Sequence, residues 1–229
     1  MIKGKKRIRD VLEREIQQMD QGMKQLLVEE ECQELIDEML LQVRELDKML
    51  SEKYGRKMVE NVSWRVKSPE SVVKKLHRKH REISIESAVS TLRDLAGIRI
   101  VCSFQDDVYR VAGAIKKLPG YQLVKEKNYI ARPKASGYRS IHLIFKPIGD
   151  RGSSAGRNSW SQERQEVQFI EVQIRSVAMN YWAILDYQLW YKNEKKGTDR
   201  IRRELKEYAI AIAKIDKKML KLRKEIEKI

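Results

Sequence analysis

Apolar residues recur at three- and four-residue spacing through the first ~55 residues, which is the spacing of one face of an α-helix. Charged residues occupy the opposite face, and no proline interrupts the segment. The apolar positions are Leu26, Leu27, Leu35, Ile36, Met39, Leu40, Val43, Leu46, Met49 and Leu50. The segment from Gly55 to Ser63 breaks this pattern. Ser68-Pro69-Glu70 then provides a typical start for a short basic helix.

The centre of the chain changes period. Residues 98–104 are rich in β-branched side chains and predict a strand. Three further segments have strand character, namely residues 121–130, 140–146 and 167–174. Helices are predicted for residues 106–117, from residue 177 onwards, and for residues 199–229. Residues 149–165 are rich in Gly, Ser and Arg and predict a loop.

This order of elements predicts an α/β (α+β) fold. We expect a mixed β-sheet of about five strands flanked by helices, with long helices at both ends of the chain. The expected division is a helical segment over residues 1–54, a core that carries the chemistry over residues 55–192, and a basic helix over residues 193–229.

Composition adds a partner class. The formal net charge of the 229 residues is +15, which favours an anionic partner such as a nucleotide, a nucleic acid or an acidic membrane surface. No apolar run approaches the ~18 residues of a membrane span, and no apolar signal-peptide core follows the basic N-terminus. The cytoplasm is therefore the expected location. Cys32 and Cys102 are far apart and indicate free thiols rather than a disulfide.

A basic cluster surrounds the start of the short central helix. Ser71, Lys75 and Arg78 fall on one helical face, and Arg65 and Lys67 precede the helix. Free N–H groups at a helix N-terminus attract phosphate, and basic side chains add donors. The cluster therefore suits a polyphosphate, although it lacks the glycines of a Walker-type loop. The alternative interpretation is an ordinary solvated basic helix.

Two carboxylates lie beside predicted strands. Asp94 precedes the strand at residue 98, and a carboxylate there can hold a hard cation such as Mg²⁺. Its alternative role is a local cap or a pair with Arg99, while Gly97 would allow a tight entry into the strand. Strand alternation places Glu171, Gln173 and Arg175 on one face. Because burying such a face without a ligand would cost stability, a metal or ligand is expected there.

A third polar cluster surrounds a glycine-containing turn. Tyr138 offers an aromatic face for stacking on a base. Lys134, Arg139 and His142 could surround phosphates, and Lys127 lies nearby in the sequence. The alternative is that Tyr138 packs as a core aromatic and that His142 is a core histidine.

Four motifs occur in a fixed order: Arg65-Val-Lys-Ser68, Asp94-Leu-Ala-Gly-Ile-Arg99, Gly137-Tyr-Arg-Ser-Ile-His142 and Glu171-Val-Gln-Ile-Arg175. Together they resemble the synthetase domain of RelA/SpoT proteins, in particular the RelP-like and RelQ-like small alarmone synthetases. The resemblance covers residues 55–192, and no hydrolase region with paired His and Asp is present. It implies a GTP pyrophosphokinase, which transfers pyrophosphate from ATP to the 3′-hydroxyl of GDP or GTP, releases AMP and forms (p)ppGpp.

The resemblance also implies roles for individual residues. Asp94 and Glu171 would bind Mg²⁺, and Glu171 would help to deprotonate the 3′-hydroxyl. Arg65 and Arg99 would enclose the adenine by cation–π stacking. The ATP-binding residues would be Arg65, Lys67, Ser71, Lys75, Arg78 and Arg99. The GDP- or GTP-binding residues would be Lys127, Lys134, Tyr138, Arg139, His142, Gln173 and Asn180.

Three further expectations concern the acceptor and the assembly. Many family members carry an acidic residue and then His where this chain has Asp186-Tyr187, which leaves acceptor preference open. The alternative acceptor is the 3′ end of tRNA, as used by toxic relatives that inhibit translation, and the +15 charge favours it. The resemblance also implies a homo-oligomer, with a homotetramer as the expected form.

Overall fold

The computed structural model describes residues 2–148, 167–191 and 199–229. The predicted loop at residues 149–165 lies outside this part of the chain. These ranges contain seven helices, which are α1 (Ile2–Gln25), α2 (Val28–Tyr54), α3 (Pro69–Arg78), α4 (Ile85–Thr91), α5 (Gln105–Ile115), α6 (Val177–Tyr191) and α7 (Asp199–Ile226). Five strands are β1 (Val59–Val66), β2 (Ala96–Cys102), β3 (Tyr121–Asn128), β4 (Ile141–Pro147) and β5 (Ile170–Ser176).

The strands form one mixed sheet in the order β1-β2-β5-β4-β3. Strands β2 and β5 are parallel, and the other three pairings are antiparallel. The predicted class, a mixed sheet of about five strands with long terminal helices, is confirmed. Helices α2 and α5 contact the sheet. Apolar side chains of the three central strands are fully buried at Ile100, Phe145, Val172 and Ile174.

The N-terminal segment is helical as predicted, but it forms two helices. Leu27 adopts the left-handed conformation, with φ of 53°, and separates α1 from α2. Most of the predicted apolar positions on α2 are buried, whereas Met49 is 57% exposed. The buried side of α2 belongs to the same hydrophobic core as the sheet. The proposed division at residue 54 stays a prediction.

Two elements were not predicted from the sequence. Strand β1 occupies part of the segment that was interpreted as a break, and only Val59 of its eight residues is buried. As an edge strand it lacks the apolar alternation on which the prediction depends. Helix α4 has seven residues, too few to show helical periodicity, although Ser84 caps its N-terminus by accepting from the backbone of Ser87.

The register of the sheet places polar residues on one face. Gly97 is paired with Arg65 on β1 and with Glu171 on β5. Two residues further along β2, Arg99 is paired with Gln173 on β5. Gln173 is in turn paired with His142 on β4. Lys127 on β3 is paired with His142. Paired residues share a face of the sheet, so five strands contribute to one polar surface. We call this surface the polar face.

No helix in the described ranges is long and apolar enough to cross a membrane.

Candidate active site

A cleft of about 70 Å³ opens on the polar face where β1, β2 and β5 meet. Its lining consists of Ser63, Trp64, Arg65, Asp94, Gly97, Ile98, Arg99, Glu171 and Gln173. Gly97 lies in regular strand pairing and has no positive φ, so the expectation of a tight entry into the strand is wrong. An added Cβ would lie 3.8 Å from the carbonyl oxygens of Arg65 and Glu171. A Cβ at this position would therefore make ordinary van der Waals contacts with the backbone of the two neighbouring strands.

Asp94 lies just before β2 at one side of the cleft and pairs with two lysines. One carboxylate oxygen, Oδ2, is 2.9 Å from Nζ of Lys67 and 2.5 Å from Nζ of Lys75. The other, Oδ1, is buried and has no hydrogen-bond partner. Neither alternative role, a pair with Arg99 or a local cap, describes these contacts. Burial by itself would raise the pKa of Asp94, but the charges of the two lysines lower it below its ordinary value.

Glu171 belongs to a closed ring of hydrogen bonds. Its Oε1 lies 2.9 Å from Nδ1 of His142, and its Oε2 accepts from Nε2 of Gln173 at 2.7 Å. The hydroxyl of Tyr138 lies 2.7 Å from Nε2 of His142. Nη2 of Arg175 closes the ring, donating to the Tyr138 hydroxyl at 2.6 Å and to Oε1 of Gln173 at 2.8 Å. Both carboxylate oxygens of Glu171 are therefore held in position.

The hydrogen bonds of His142 to Glu171 and Tyr138 determine its tautomer. Burial lowers the pKa of His142 despite the neighbouring Glu171, so the imidazole is neutral near pH 7. Its Nδ1–H then donates to Glu171, while Nε2 accepts from the Tyr138 hydroxyl. Burial alone would raise the pKa of Glu171, but the hydrogen bond from His142 lowers it. Glu171 is therefore ionised at neutral pH and able to accept a proton or bind a cation.

This depressed pKa predicts a pH-dependent contribution to stability. The ionised form of Glu171 contributes stability that is present above its ordinary pKa of 4.5 and is lost as pH falls through its lower folded value. In metal-free buffer, wild type should be more stable than Glu171→Gln at neutral pH, and the difference should shrink below pH 4.5. Urea unfolding across this range measures it. A difference that stays constant with pH would contradict the assignment.

Tyr138 packs against neighbouring rings and cations, and its stacking on a base stays a prediction. Its ring packs edge-on against Tyr129 and His142, with centroid separations of 5.9 and 5.7 Å. Nζ of Lys134 lies 4.6 Å from its centroid, and the guanidinium carbon of Arg175 lies 5.0 Å away. The ring is thus an aromatic surface that already contacts cations. A base stacking on it would take the place of one of them.

The helix α3 brings its basic side to Asp94. Ser68 caps the helix by accepting from the backbone N–H of Ser71, at 3.4 Å. Its apolar side, formed by Val72, Val73 and Leu76, is buried. Lys75 on the opposite side reaches Asp94. The predicted helical face is therefore directed at the cleft through Lys75.

Three guanidinium groups lie near one another on the polar face. The pKa of Arg99 is lowered by burial first, and then by the charges of Arg175 and Arg65. The buried Nε of Arg99 has no hydrogen-bond partner. Like charges held together in this way favour an anionic or electron-rich ligand between them. This arrangement is compatible with the predicted adenine site at Arg65 and Arg99.

Some predicted site residues lie elsewhere. Nη1 of Arg139 donates to the carbonyl of Ile130, and its side chain lines a small cavity against α6 and α7 rather than the cleft. Its contacts therefore do not support its placement on the acceptor nucleotide. Asn180 reaches the hydrogen-bond ring through a 3.5 Å contact, in which Nη1 of Arg175 donates to its Oδ1.

The sequence did not single out three residues that the structure places in the site. Arg175 was on the predicted polar face but received no role, and it joins Tyr138 to Gln173 in the ring. Ser63 and Trp64 line the cleft from β1, the strand that was not predicted. The alternation of Glu171, Gln173 and Arg175 was the available indication for Arg175.

The sequence departure at Asp186-Tyr187 lies on α6. Burial raises the pKa of Asp186, and the positive charge of Lys134 opposes this rise. Asp186 is therefore close enough to act on Lys134 electrostatically. The side chain of Tyr187 is 58% exposed.

The two carboxylates of the cleft fit a metal ion shared with a substrate. Within the described residues, no group of three or more His, Cys, Asp or Glu side chains could hold a metal. Asp94 and Glu171 nevertheless line the same cleft, and Oδ1 of Asp94 has no partner. Mg²⁺ is commonly bound by one or two carboxylates together with substrate phosphates and water. The donor set therefore fits Mg²⁺ that arrives with a polyphosphate.

The sequence of the chain is similar to those of proteins of one known family. A profile of the region found in RelA/SpoT proteins matches residues 64–196. The chain is 38% identical over 175 residues to the GTP pyrophosphokinase YwaC of Bacillus subtilis (strain 168), covering 76% of this chain and 78% of the relative.

Two solved structures have similar folds. The crystal structure of small alarmone synthetase 2 from Bacillus subtilis is 34% identical with a TM-score of 0.70, covering 88% of this chain and 97% of that one. Small alarmone synthetase 1 from the same organism, bound to its product pppGpp, is 27% identical with a TM-score of 0.72, covering 85% of this chain and 94% of that one.

Proposed function

Because the chain belongs to the RelA/SpoT family, we propose that it is a (p)ppGpp synthetase that transfers pyrophosphate from ATP to the 3′-hydroxyl of GDP or GTP. One observation carries the proposal: the polar face brings an ionised Glu171 and the lysine-paired Asp94 to the same cleft. Such a site can hold the phosphates of one nucleotide beside the attacking hydroxyl of another. The reaction releases AMP.

ATP occupies the side of the cleft formed by β1, β2 and α3. Arg65 and Arg99 enclose the adenine, an assignment supported by their position on neighbouring strands of the same face. Lys67 and Lys75 already contact a carboxylate, so they can exchange part of this contact for ATP phosphates. Ser71 and Arg78 extend the same binding surface along α3.

Mg²⁺ is held by Asp94 and Glu171 in this proposal. When bound, it neutralises phosphate charge and aligns the transferred group, which is the main catalytic requirement of phosphoryl transfer. The unpartnered Oδ1 of Asp94 supports the assignment. The lysines then balance the remaining charge of the carboxylate.

The acceptor nucleotide lies on the β4 and β5 side. The guanine stacks on Tyr138, while Lys127, Lys134, His142 and Gln173 surround the rest of the nucleotide. Glu171 accepts the proton of the 3′-hydroxyl, whose oxygen forms a bond to the β-phosphorus of ATP. The bond between that phosphorus and the bridging oxygen to the α-phosphate breaks, and the electron pair leaves with AMP. The hydrogen bonds from His142 and Gln173 hold Glu171 in place for this step.

Substitution of Tyr138 tests the acceptor side. Tyr138→Ala removes the stacking surface and should raise KM for GDP by about tenfold or more, because base–aromatic stacking contributes ~1–3 kcal/mol per base. KM for ATP should remain unchanged. Tyr138→Phe retains the ring but loses the contacts to Arg175 and His142, so it should affect KM for GDP less. Equal effects of Tyr138→Ala on both nucleotides would contradict the assignment.

The acceptor class is tested by supplying ATP labelled at the γ-phosphate with GDP, GTP or tRNA. We expect label on the guanosine nucleotides. Label on tRNA alone would replace the proposed function with the alternative from the sequence, which the comparisons do not support. The absence of transfer to any acceptor would indicate a non-catalytic nucleotide-binding protein.

We further propose that the chain forms a homo-oligomer in the cytoplasm, with a homotetramer as the expected form. An apolar stripe on α7 supports the assembly, since it repeats at the seven-residue spacing of helix pairs and is exposed. Its members are Ile201, Tyr208, Ile215 and Leu222, with Met219 and Ile226 beside them. The cytoplasmic location is supported by the substrates. Light scattering after gel filtration measures the assembly, and a monomer at micromolar concentration would contradict it.

A further inference from the structure

The turn that carries Tyr138 is in close contact with helix α7. Gly137 has a φ of +95°, and a Cβ added there would lie 2.5 Å from Cβ of Ala209 and 3.6 Å from Cα of Lys206. Real Cβ atoms essentially never approach so closely, so this contact requires glycine on the turn. It also requires a small residue on the helix. Ala209 is 4% exposed, so the contact is buried.

Helix α7 is fixed at several points along its length. Nε1 of Trp182 on α6 donates to the carbonyl of Leu205 at 2.8 Å. Asp216 accepts from the hydroxyl of Ser176, at the end of β5, at 2.6 Å. Arg223 donates to Asp106 at the start of α5 at 2.7 Å. These contacts tie α7 to three elements, so it offers the turn a surface of fixed position.

The surface of α7 is continuous with Tyr138 itself. Trp182, Leu205 and Ala209 form a small buried cluster separate from the main core, and Tyr138 packs against it. On its other side, the Tyr138 hydroxyl belongs to the ring that contains Glu171. A displacement of the turn away from α7 would therefore move the stacking surface relative to the catalytic carboxylate. The matched family region ends at residue 196, before α7 begins.

We infer that α7, through the contact of Ala209 with Gly137, sets the position of Tyr138 and thereby the affinity for the acceptor nucleotide. Ala209 is a positioning residue that touches no substrate. The inference depends on the proposed function in one respect, namely that Tyr138 binds the guanosine acceptor. It assigns to α7 a role in acceptor binding and none in ATP binding, because the turn that Ala209 contacts carries Tyr138 and none of the residues assigned to ATP.

The test enlarges the residue at the contact. Ala209→Val adds two methyl groups against Gly137, whereas Ala211→Val makes the same change at an exposed position of the same helix. Both substitutions introduce valine, whose helix propensity is lower than that of alanine. These variants avoid Gly137 itself, where any side chain combines a steric conflict with a strained backbone.

Two measurements on the full chain decide the outcome. Hydrogen–deuterium exchange should show faster exchange of the backbone amides of residues 134–142 in Ala209→Val only. KM for GDP should rise by about ten- to a hundredfold in that variant, the loss expected when a base no longer stacks on its aromatic side chain. KM for ATP should change less than about twofold, as should both KM values of Ala211→Val.

Each contrary result identifies what fails. Unchanged exchange at residues 134–142 in Ala209→Val would overturn the inference, whatever the enzyme's activity. Faster exchange with an unchanged KM for GDP, or with equal increases in both KM values, would also overturn it. If wild type transferred nothing to GDP, the proposed function would fail, and binding of a fluorescent GDP analogue would replace KM as the readout. Equal binding by Ala209→Val and wild type would then exclude the positioning role.

Discussion

Replacing Glu171 by Gln is expected to lower kcat for pyrophosphate transfer by about 10²–10⁴-fold, the contribution typical of a positioned general base. The amide cannot accept the proton of the 3′-hydroxyl and is a weaker ligand for Mg²⁺. It also directs an NH₂ group at a neighbouring donor, because His142 and Gln173 both donate to the native carboxylate. The steady-state rate of AMP release with GDP as acceptor measures the effect.

The matched control is Glu82→Gln, at an exposed position outside the site. It makes the same chemical change and should retain wild-type activity. Thermal unfolding of both variants establishes that Glu171→Gln remains folded. A folded Glu171→Gln with activity near that of wild type would refute the role of Glu171.

Replacing Asp94 by Asn should have the second largest effect. It removes the carboxylate that neutralises Lys67 and Lys75 and that offers a buried oxygen for Mg²⁺. Loss of metal-borne charge stabilisation corresponds to several kcal/mol, so kcat should fall by about 10²-fold or more. Binding of Mn²⁺ in the presence of a non-hydrolysable ATP analogue, followed by electron paramagnetic resonance, should weaken as well.

Two controls separate metal binding from charge balance. Asp10→Asn makes the same change on the exposed side of α1 and should alter neither activity nor Mn²⁺ binding. Lys75→Met removes one partner of Asp94 and should weaken ATP binding while Mn²⁺ binding at saturating ATP analogue persists. If Asp94→Asn bound Mn²⁺ as tightly as wild type, Asp94 would be a structural partner of the lysines and not a metal ligand.

The polar face could be predicted because its residues obey strand alternation. Glu171 and Gln173 share a face through their spacing of two, and the motif order supplied the resemblance that joined them to Asp94. The sequence also placed Lys75 on the correct side of α3. These predictions needed only local periodicity and motif order, and the structure places all four residues at one cleft or its margin.

Other features depend on tertiary contacts that periodicity does not encode. Strand β1 is an edge strand with one buried residue, so it had no apolar alternation to detect. The pairing of Asp94 with Lys67 and Lys75 joins the segment before β2, the segment between β1 and α3, and α3 itself. Arg139 was assigned to the acceptor because it lies within a motif, yet its guanidinium supports the carbonyl of Ile130. The position of a residue within a motif does not show whether it binds the substrate or supports the backbone.

The glycines show the same limit. Gly97 was expected to serve backbone geometry, but it has no positive φ and an added Cβ would make only ordinary contacts there. Gly137 was noted as part of a turn, and its contact with Ala209 connects positions 72 residues apart (209 minus 137). A sequence indicates where glycine occurs, but only the surrounding fold indicates whether conformation or space requires it.

The central claim is that this cleft transfers an intact pyrophosphate group from ATP to a guanosine 3′-hydroxyl. The most direct measurement follows ATP labelled at either the α- or the γ-phosphate during incubation with GDP and Mg²⁺. We expect the α label in AMP and the γ label in the guanosine product, in equal amounts and in the wild-type protein only, not in Glu171→Gln. Recovery of the α label in ADP, which would mark transfer of a single phosphate, or the absence of a labelled guanosine product, would contradict the account.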